Sequence, residues 1–184
     1  MLEVRSLTKL TLHDLERVAS GYSSESKYNI VYTSLGDQIR FDLQLVPLEK
    51  PYVKKFEHDD DTIQRYEKIL NHSYSFGAYD GNLLIGLVIG EPQEWNKSLW
   101  VWEFHVLKAY RNKGIGKRLM DCVVAKAKGE SFRMIVCETQ NTNATAIKIY
   151  RRLSFRIEGI DISYYSNDDY PDDEIAVFMK RRLK

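Results

Sequence analysis

The stretch Val106-Leu-Lys-Ala-Tyr-Arg111-Asn-Lys-Gly114-Ile-Gly116-Lys-Arg-Leu restricts the fold more than any other part of this 184-residue chain. An apolar run, Trp100 to Leu107, enters a short basic turn with two glycines. A helical pattern begins at once, with Ile115, Leu119, Cys122 and Val123 recurring at helix spacing. Strand, glycine turn and helix in that order aim several backbone N–H groups at one point before the helix N-terminus. Such a point suits an anion, most often a phosphate. Arg111 and Lys113 add full charges where the backbone supplies partial ones. R-x-x-G-x-G alone fits a solvated strand-to-helix turn equally well, so its surroundings decide.

Several function classes are disfavoured early. A net charge of +1 gives no overall pull toward nucleic acid or a membrane surface. No apolar run reaches the roughly 18 residues of a membrane span. The start, Met-Leu-Glu-Val-Arg, lacks a signal peptide's basic and apolar regions. Cys122 and Cys137 fall in a helical and a strand pattern with no C-x-x-C, as reduced core residues of a cytoplasmic protein do. His13, His58, His72 and His105 show no metal-ligand spacing, so no metal is expected. Two alternative phosphate loops fail on residues: Arg118 follows Gly116-Lys117 where a Walker loop needs Ser or Thr, and Leu119 stands where a dinucleotide fingerprint needs a third Gly.

Taken in order, residues 1–10 predict a first strand. Thr11 and Asp14 predict a capping box for a helix with Leu12, Leu15, Val18 and Ala19 inward, closed by Gly21. Residues 22–37 are polar and carry no clear pattern. Ile39 to Val46 alternates as a half-buried strand, and Pro47 and Pro51 bracket a turn. A helix follows over Asp60 to Leu70, with Ile63, Tyr66, Ile69 and Leu70 on one face. Ser75–Tyr79 and Leu83–Gly90 flank Asp80-Gly81-Asn82 as a hairpin. Glu91–Lys97 reads as a loop and Ser98–Leu107 as a strand whose Trp100 and Trp102 pack in the core or line the cleft, alternation favouring the core by placing both opposite Glu103. The next helix ends near a Gly129 cap. Arg133–Thr139 reads as a buried strand, Asn143–Leu153 as a helix, and Arg156–Tyr165 and Glu174–Leu183 as closing strands. The expected fold is α+β (mixed α/β), one domain over residues 1–184, with a central, mostly antiparallel sheet flanked by helices.

Three motifs then fall at fixed places: Val106, Arg111, Gly114 and Gly116 opening a helix; Asn143, Ala146 and Tyr150 as N-x-x-A-x-x-x-Y; and Leu153-Ser154-Phe155 leading into a strand. Their conjunction over roughly Ser73 to Lys184 resembles the GNAT superfamily of acetyl-CoA-dependent N-acyltransferases. Pro51-Tyr-Val-Lys-Lys-Phe56 before an acidic run, Glu138-Thr-Gln-Asn-Thr-Asn143, and Glu174-Ile-Ala-Val-Phe-Met-Lys-Arg181 are similar to the streptothricin acetyltransferases within it. Asn112 and Ser154 stand where the superfamily usually has Gly, and His105 where it usually has a small or apolar residue.

The resemblance implies acetyl-CoA as co-substrate, its pyrophosphate held by backbone at Arg111, Asn112, Lys113, Gly114, Ile115, Gly116 and Lys117. It also implies a pantetheine arm lying along the strand at Phe104, His105 and Val106, held in part by Asn143 and Tyr150. The implied chemistry is direct attack by a free amine. An alkylamine of pKa about 10 is neutral in only about one molecule per thousand at pH 7, a deficit of about 4 kcal/mol, so a base is useful. Glu103, on the strand leading into the turn, is the candidate, since its counterparts in many relatives serve as base. His105 lies two residues on and so on the same strand face: it could be the base, its partner, or a satisfied histidine. Tyr150 matches the family tyrosine that protonates the departing thiolate.

The acceptor that the resemblance implies is a small cationic amine, streptothricin included, with antibiotic resistance as the result. A polyamine, a protein amine, or a non-catalytic acyl-CoA-binding role stand as alternatives, and a homodimer stays open. Asp59 to Asp61 and Asp168, Asp169, Asp172 and Asp173 either attract that cation or form solvated loop faces.

Overall fold

The structure is a computed structural model that describes residues 2–183. Its elements run β1 (Leu2–Ser6), α1 (Leu12–Val18), β2 (Gly21–Leu35), β3 (Gln38–Lys55), α2 (Asp60–Leu70), β4 (Phe76–Asp80) and β5 (Leu83–Gln93). β6 (Ser98–Val106), a 3-10 turn (Lys108–Tyr110), α3 (Ile115–Gly129), β7 (Met134–Gln140), α4 (Ala144–Arg152), β8 (Arg156–Asp161) and β9 (Ala176–Arg182) follow. Among the described residues, no helix is long and apolar enough to cross a membrane.

Contacts gather the chain into two units. The first takes Lys55–Cys137, the N-terminal stretch up to Gly21 and the residues from Arg181 on; the second takes Tyr22–Lys54 and Glu138–Lys180. In the first unit the ladder runs β1-β4-β5-β6-β7, and β7 passes into the second, where the order is β7-β9-β8. β6 pairs with β7 in parallel from Ser98↔Met134 to Val101↔Cys137. β1–β4, β4–β5, β5–β6 and β8–β9 are antiparallel.

In the first unit the core follows from the helix patterns. Thr11 caps α1 by accepting the Asp14 N–H at 3.1 Å, and Asp59 caps α2 by accepting the Thr62 N–H at 2.8 Å. Once started there, α1 turns Leu15 and Val18 inward, and α2 turns in Tyr66, Ile69 and Leu70. They meet Leu84, Leu87 and Ile89 of β5 in one apolar cluster. α3 buries Ile115, Leu119, Met120, Val123 and Ala127, while Cys122 lies half-buried at the edge of that face.

One unassigned stretch is now placed, and three expectations need correction. Residues 22–37 form most of a long strand, β2, which pairs with β3 as a separate two-stranded sheet. β3 runs on through Pro47 and Pro51, where a turn was expected; a ribbon of two strands has an outer edge on which a missing N–H loses no ladder bond. Its alternation marks a strand without marking what covers it, because Ile39 and Leu45 are 67% and 54% exposed. Gly129 is the last residue of α3 and not its cap; Glu130 caps it and Ser131 takes the left-handed conformation, φ 60°.

The tryptophans are also misplaced by simple alternation. Ile89 pairs with Glu103 but Gly90 with Val101, so Trp102 is an extra residue and β6 carries a bulge there. Trp100 is half-buried and Trp102 exposed, their rings 5.5 Å apart. Trp102 Nε1 donates to Glu91 at 2.7 Å, and the Arg65 guanidinium lies 4.0 Å over its ring. The pair is a polar-tethered surface feature of β6.

Candidate active site

The glycine turn forms as the sequence requires. Gly114 has φ 77° with open space around it, so conformation alone demands glycine there. Asn112, in the position of a family glycine, also takes the left-handed region at φ 62°, which Asn tolerates better than other side chains. Gly116 serves a different need: a Cβ would stand 3.3 Å from the Phe104 ring, so its absence lets the first turn of α3 sit on β6. Gly114 caps α3 without any side-chain hydrogen bond, and no acidic residue lies in the first turn. The first N–H groups of a helix have no partner within it, and the helix dipole favours negative charge beside them. Arg111 Nε donates to the Val106 carbonyl at 3.0 Å, pinning the turn to the strand end. Lys113 lies 5.0 Å over the Tyr110 ring, and Lys117 pairs with Asp121 at 2.6 Å.

Upstream on β6, the two-residue strand repeat brings Glu103 and His105 together. Glu103 Oε1 accepts from the Tyr66 hydroxyl at 2.5 Å, and Oε2 lies 2.6 Å from His105 Nε2. The side chains are 13% and 19% exposed. Phe56 packs edge-on against His105 with ring centres 5.8 Å apart. A Cβ on Gly86 would meet the His105 carbonyl at 3.0 Å, so glycine on β5 lets the strands close up at this point. Burial by itself would raise the Glu103 pKa. The hydrogen bond and charge of His105, the Tyr66 hydroxyl and the charge of His58 more than offset it, holding this carboxyl below its usual range. Burial, then the Glu103 charge, pushes the Tyr66 phenol well above its usual range. The charged form of the carboxylate is therefore favoured, with a hydrogen-bond partner on each oxygen.

In the second unit, Asn143 caps α4, its side-chain oxygen accepting the Ala146 N–H at 3.1 Å. Tyr150 is 7% exposed, its ring 5.4 Å from Phe155. Ser154, in place of a family glycine, adopts φ 68°. A polar cluster surrounds Glu174, itself 9% exposed. Tyr22, Tyr52 and Thr142 donate to Oε1 at 3.0, 3.1 and 3.1 Å, and Lys54 pairs with Oε2. Burial and the Glu174 charge push the Tyr52 phenol up to about 12. Tyr165 donates to Glu138, whose carboxyl burial raises, and its ring lies 5.7 Å from the Lys54 ammonium. Two carboxylates thus share one lysine.

The acidic runs lie mostly on an exposed face, and some of their residues also have local partners. Asp59 caps α2; Asp169, 2% exposed, accepts from the Tyr165 N–H at 2.8 Å and from Ser166 at 2.6 Å; Asp173 accepts the Glu174 N–H at 2.8 Å. Glu103, Phe104, His105, Val106 and the turn from Arg111 to Lys117 belong to the first unit, Asn143 and Tyr150 to the second. Sequence reasoning missed Tyr66, which helix periodicity assigned to the core. A tyrosine on an apolar face was the available signal, since a buried hydroxyl needs a partner. It also missed Tyr22, which falls in an unpatterned stretch, and gave no role to Tyr52 and Lys54, which lie within the Pro51–Phe56 motif. Among the described residues, no group of His, Cys, Asp and Glu is placed to hold a metal ion.

The sequence pattern of the acetyltransferase (GNAT) family matches residues 42–155. Streptothricin acetyltransferase A of Bacillus subtilis (strain 168) is 34% identical over 130 residues, 70% of this chain and 72% of that protein. Nourseothricin acetyltransferase superposes with a TM-score of 0.75 at 27% identity, over 100% of this chain and 99% of that one. A Bacillus anthracis str. Ames protein in complex with acetyl coenzyme A gives a TM-score of 0.73 at 25% identity, over 99% of both chains. These likenesses agree with the mixed α/β order, the mostly antiparallel sheet and the turn before α3. The chain belongs to the GNAT family of acetyltransferases, whose acetyl donor is acetyl-CoA.

Proposed function

We propose that the whole chain, acting as one cytoplasmic N-acetyltransferase domain, moves an acetyl group from acetyl-CoA to a primary amine of a small cationic antibiotic of the streptothricin class. The observation that carries this reading is near full-length similarity to nourseothricin acetyltransferase in both sequence and backbone. The seat at Arg111–Lys117 suits a pyrophosphate, because a left-handed Asn112 and Gly114 precede an α3 N-terminus that no side chain caps. Phe104, His105 and Val106 of β6, with Asn143, would flank the pantetheine arm. Acetyl-CoA supplies the activated acyl carbon.

The chain's own groups manage protons. The Glu103–His105 pair takes the ammonium proton of the acceptor, and Tyr150 donates to the leaving sulfur. A cationic acceptor suits the cluster in which Glu138 and Glu174 lie near Lys54 among three tyrosines. Thiol release from acetyl-CoA, measured with streptothricin, spermidine, free lysine and a peptide N-terminus, tests the reading. The expected order puts streptothricin first in kcat/KM by at least about tenfold. Tight coenzyme binding with no thiol release for any amine would instead make this a coenzyme-binding module.

A further inference from the structure

We infer that His105 takes the acceptor's proton at Nδ1, and that Glu103 and Tyr66 are positioning residues that hold the imidazole ready; this rests on the acetyltransferase reading above. The starting point is that neither Glu103 oxygen is idle. Oε1 accepts from Tyr66 at 2.5 Å, and Oε2 is 2.6 Å from His105 Nε2. Each oxygen keeps a second lone pair, but the hydrogen bonds from His105 and Tyr66 favour the charged form, which makes this carboxylate a weaker proton acceptor than a free one.

The same contact sets the imidazole tautomer. An ionised carboxylate can only accept, so the hydrogen between Oε2 and Nε2 sits on Nε2. In the neutral ring, Nδ1 then carries the lone pair. Nδ1 makes no hydrogen bond to any described residue, while the side chain keeps 19% of its surface exposed. Phe56 presses on the ring edge, and the Gly86 approach fixes the backbone beneath it. The outcome is a base whose reactive nitrogen faces away from its orienting carboxylate.

The groups facing this pair come from three elements. Tyr66 belongs to α2, where Arg65 lies 5.6 Å over the Tyr66 ring. His58 precedes α2 and is hydrogen-bonded to the Ala19 carbonyl at 2.9 Å. The residues of β5 paired with Glu103 and His105 are Ile89 and Leu87, which are apolar and buried. In the reaction the ammonium gives one proton to Nδ1, and the freed lone pair forms the N–C bond. The C–S bond breaks and its electron pair leaves on sulfur, which is protonated. A second proton is lost from the amide nitrogen, and the imidazolium, paired with Glu103, returns its own proton to solvent.

Two measurements on the full chain test this. The first needs no turnover: nitrogen-15 NMR of the histidine rings above the titration range, with His105 assigned from the spectrum lost in His105→Gln. Hydrogen on Nε2 supports the inference; hydrogen on Nδ1 overturns it. The second is steady-state acetyl transfer. His105→Ala should lower kcat by about a hundredfold or more, and added imidazole should restore part of it. Tyr66→Phe and Glu103→Gln should each cost less, about tenfold, with neither gaining from imidazole. Rescue of Glu103→Ala by formate, with imidazole failing on His105→Ala, would return the base to Glu103. A wild-type chain inactive toward every amine would sink the acetyl-transfer reading, while the ring tautomer would still decide this one.

Discussion

Gly114 shows how narrow the requirements of the turn are. Its surroundings are empty, yet an alanine there must hold φ near 77°, at a cost of about 1–2 kcal/mol. Gly114→Ala should lower the thermal midpoint and raise KM for acetyl-CoA severalfold, with the acceptor KM little changed. A KM that stays at the wild-type value would mean that the turn does not seat the coenzyme. Glu103 bears on stability through pH. Its folded pKa is depressed, so its contribution is fully present above the unfolded carboxyl value of about 4.3 and is lost as pH falls through the lower folded value. Glu103→Gln should therefore flatten the acid limb of a denaturant-midpoint curve, and an unchanged limb would contradict the depressed pKa. At this scale the sequence was readable wherever a residue type has few uses. Gly114, Asn112 and Ser154 all take positive φ, as a glycine or its substitutes in such motifs would. Tyr66 was not readable, because period 3.6 reports which face a side chain is on and not where its hydroxyl ends.

Among the elements, α4 allows two roles of one side chain to be separated. Asn143 caps this helix, and it is also the residue proposed to hold the pantetheine arm. Asn143→Ala should cost about 1 kcal/mol of stability and raise KM for acetyl-CoA. Asn143→Asp keeps the capping oxygen and removes the amide donor, so its unfolding midpoint should stay near wild type while KM still rises. If the two variants unfold alike, the cap is not what Asn143 supplies. The helices were legible because each has both a start signal and a repeating face: α2 was expected over Asp60 to Leu70 and occupies those residues. β2 was not legible. Its buried and exposed residues alternate irregularly, so a two-stranded ribbon leaves no consistent period in the sequence.

For the molecule as a whole, Asn141 joins segments of the second unit that are far apart in sequence. It is 3% exposed, donates from Nδ2 to the Tyr28 carbonyl at 3.0 Å and accepts the Ile175 N–H at 2.9 Å. Its own backbone bonds the same two residues. The side chain thus ties β2 to the segment that carries Glu174. Asn141→Leu strands the buried Ile175 N–H, at about 1–3 kcal/mol, and leaves the half-buried Tyr28 carbonyl without its side-chain donor, and should lower the unfolding midpoint accordingly. An acceptor KM that rises alongside would link that tie to substrate recognition. No pattern could have revealed it, since both partners are distant in sequence and are reached through backbone atoms.

The pinned Arg111 has a consequence for ionic strength. Arg111 is bonded through Nε to Val106, Lys117 is paired with Asp121, and Lys113 leans on Tyr110. On the proposed reading, a pyrophosphate at this turn would meet peptide dipoles, whose reach is a few ångströms, together with close-range charges held in place by other partners, while mobile ions screen beyond about 8 Å at physiological salt. Over a physiological to half-molar range of sodium chloride, coenzyme affinity should vary by no more than about threefold, so that the enzyme keeps its donor when the cell loses water.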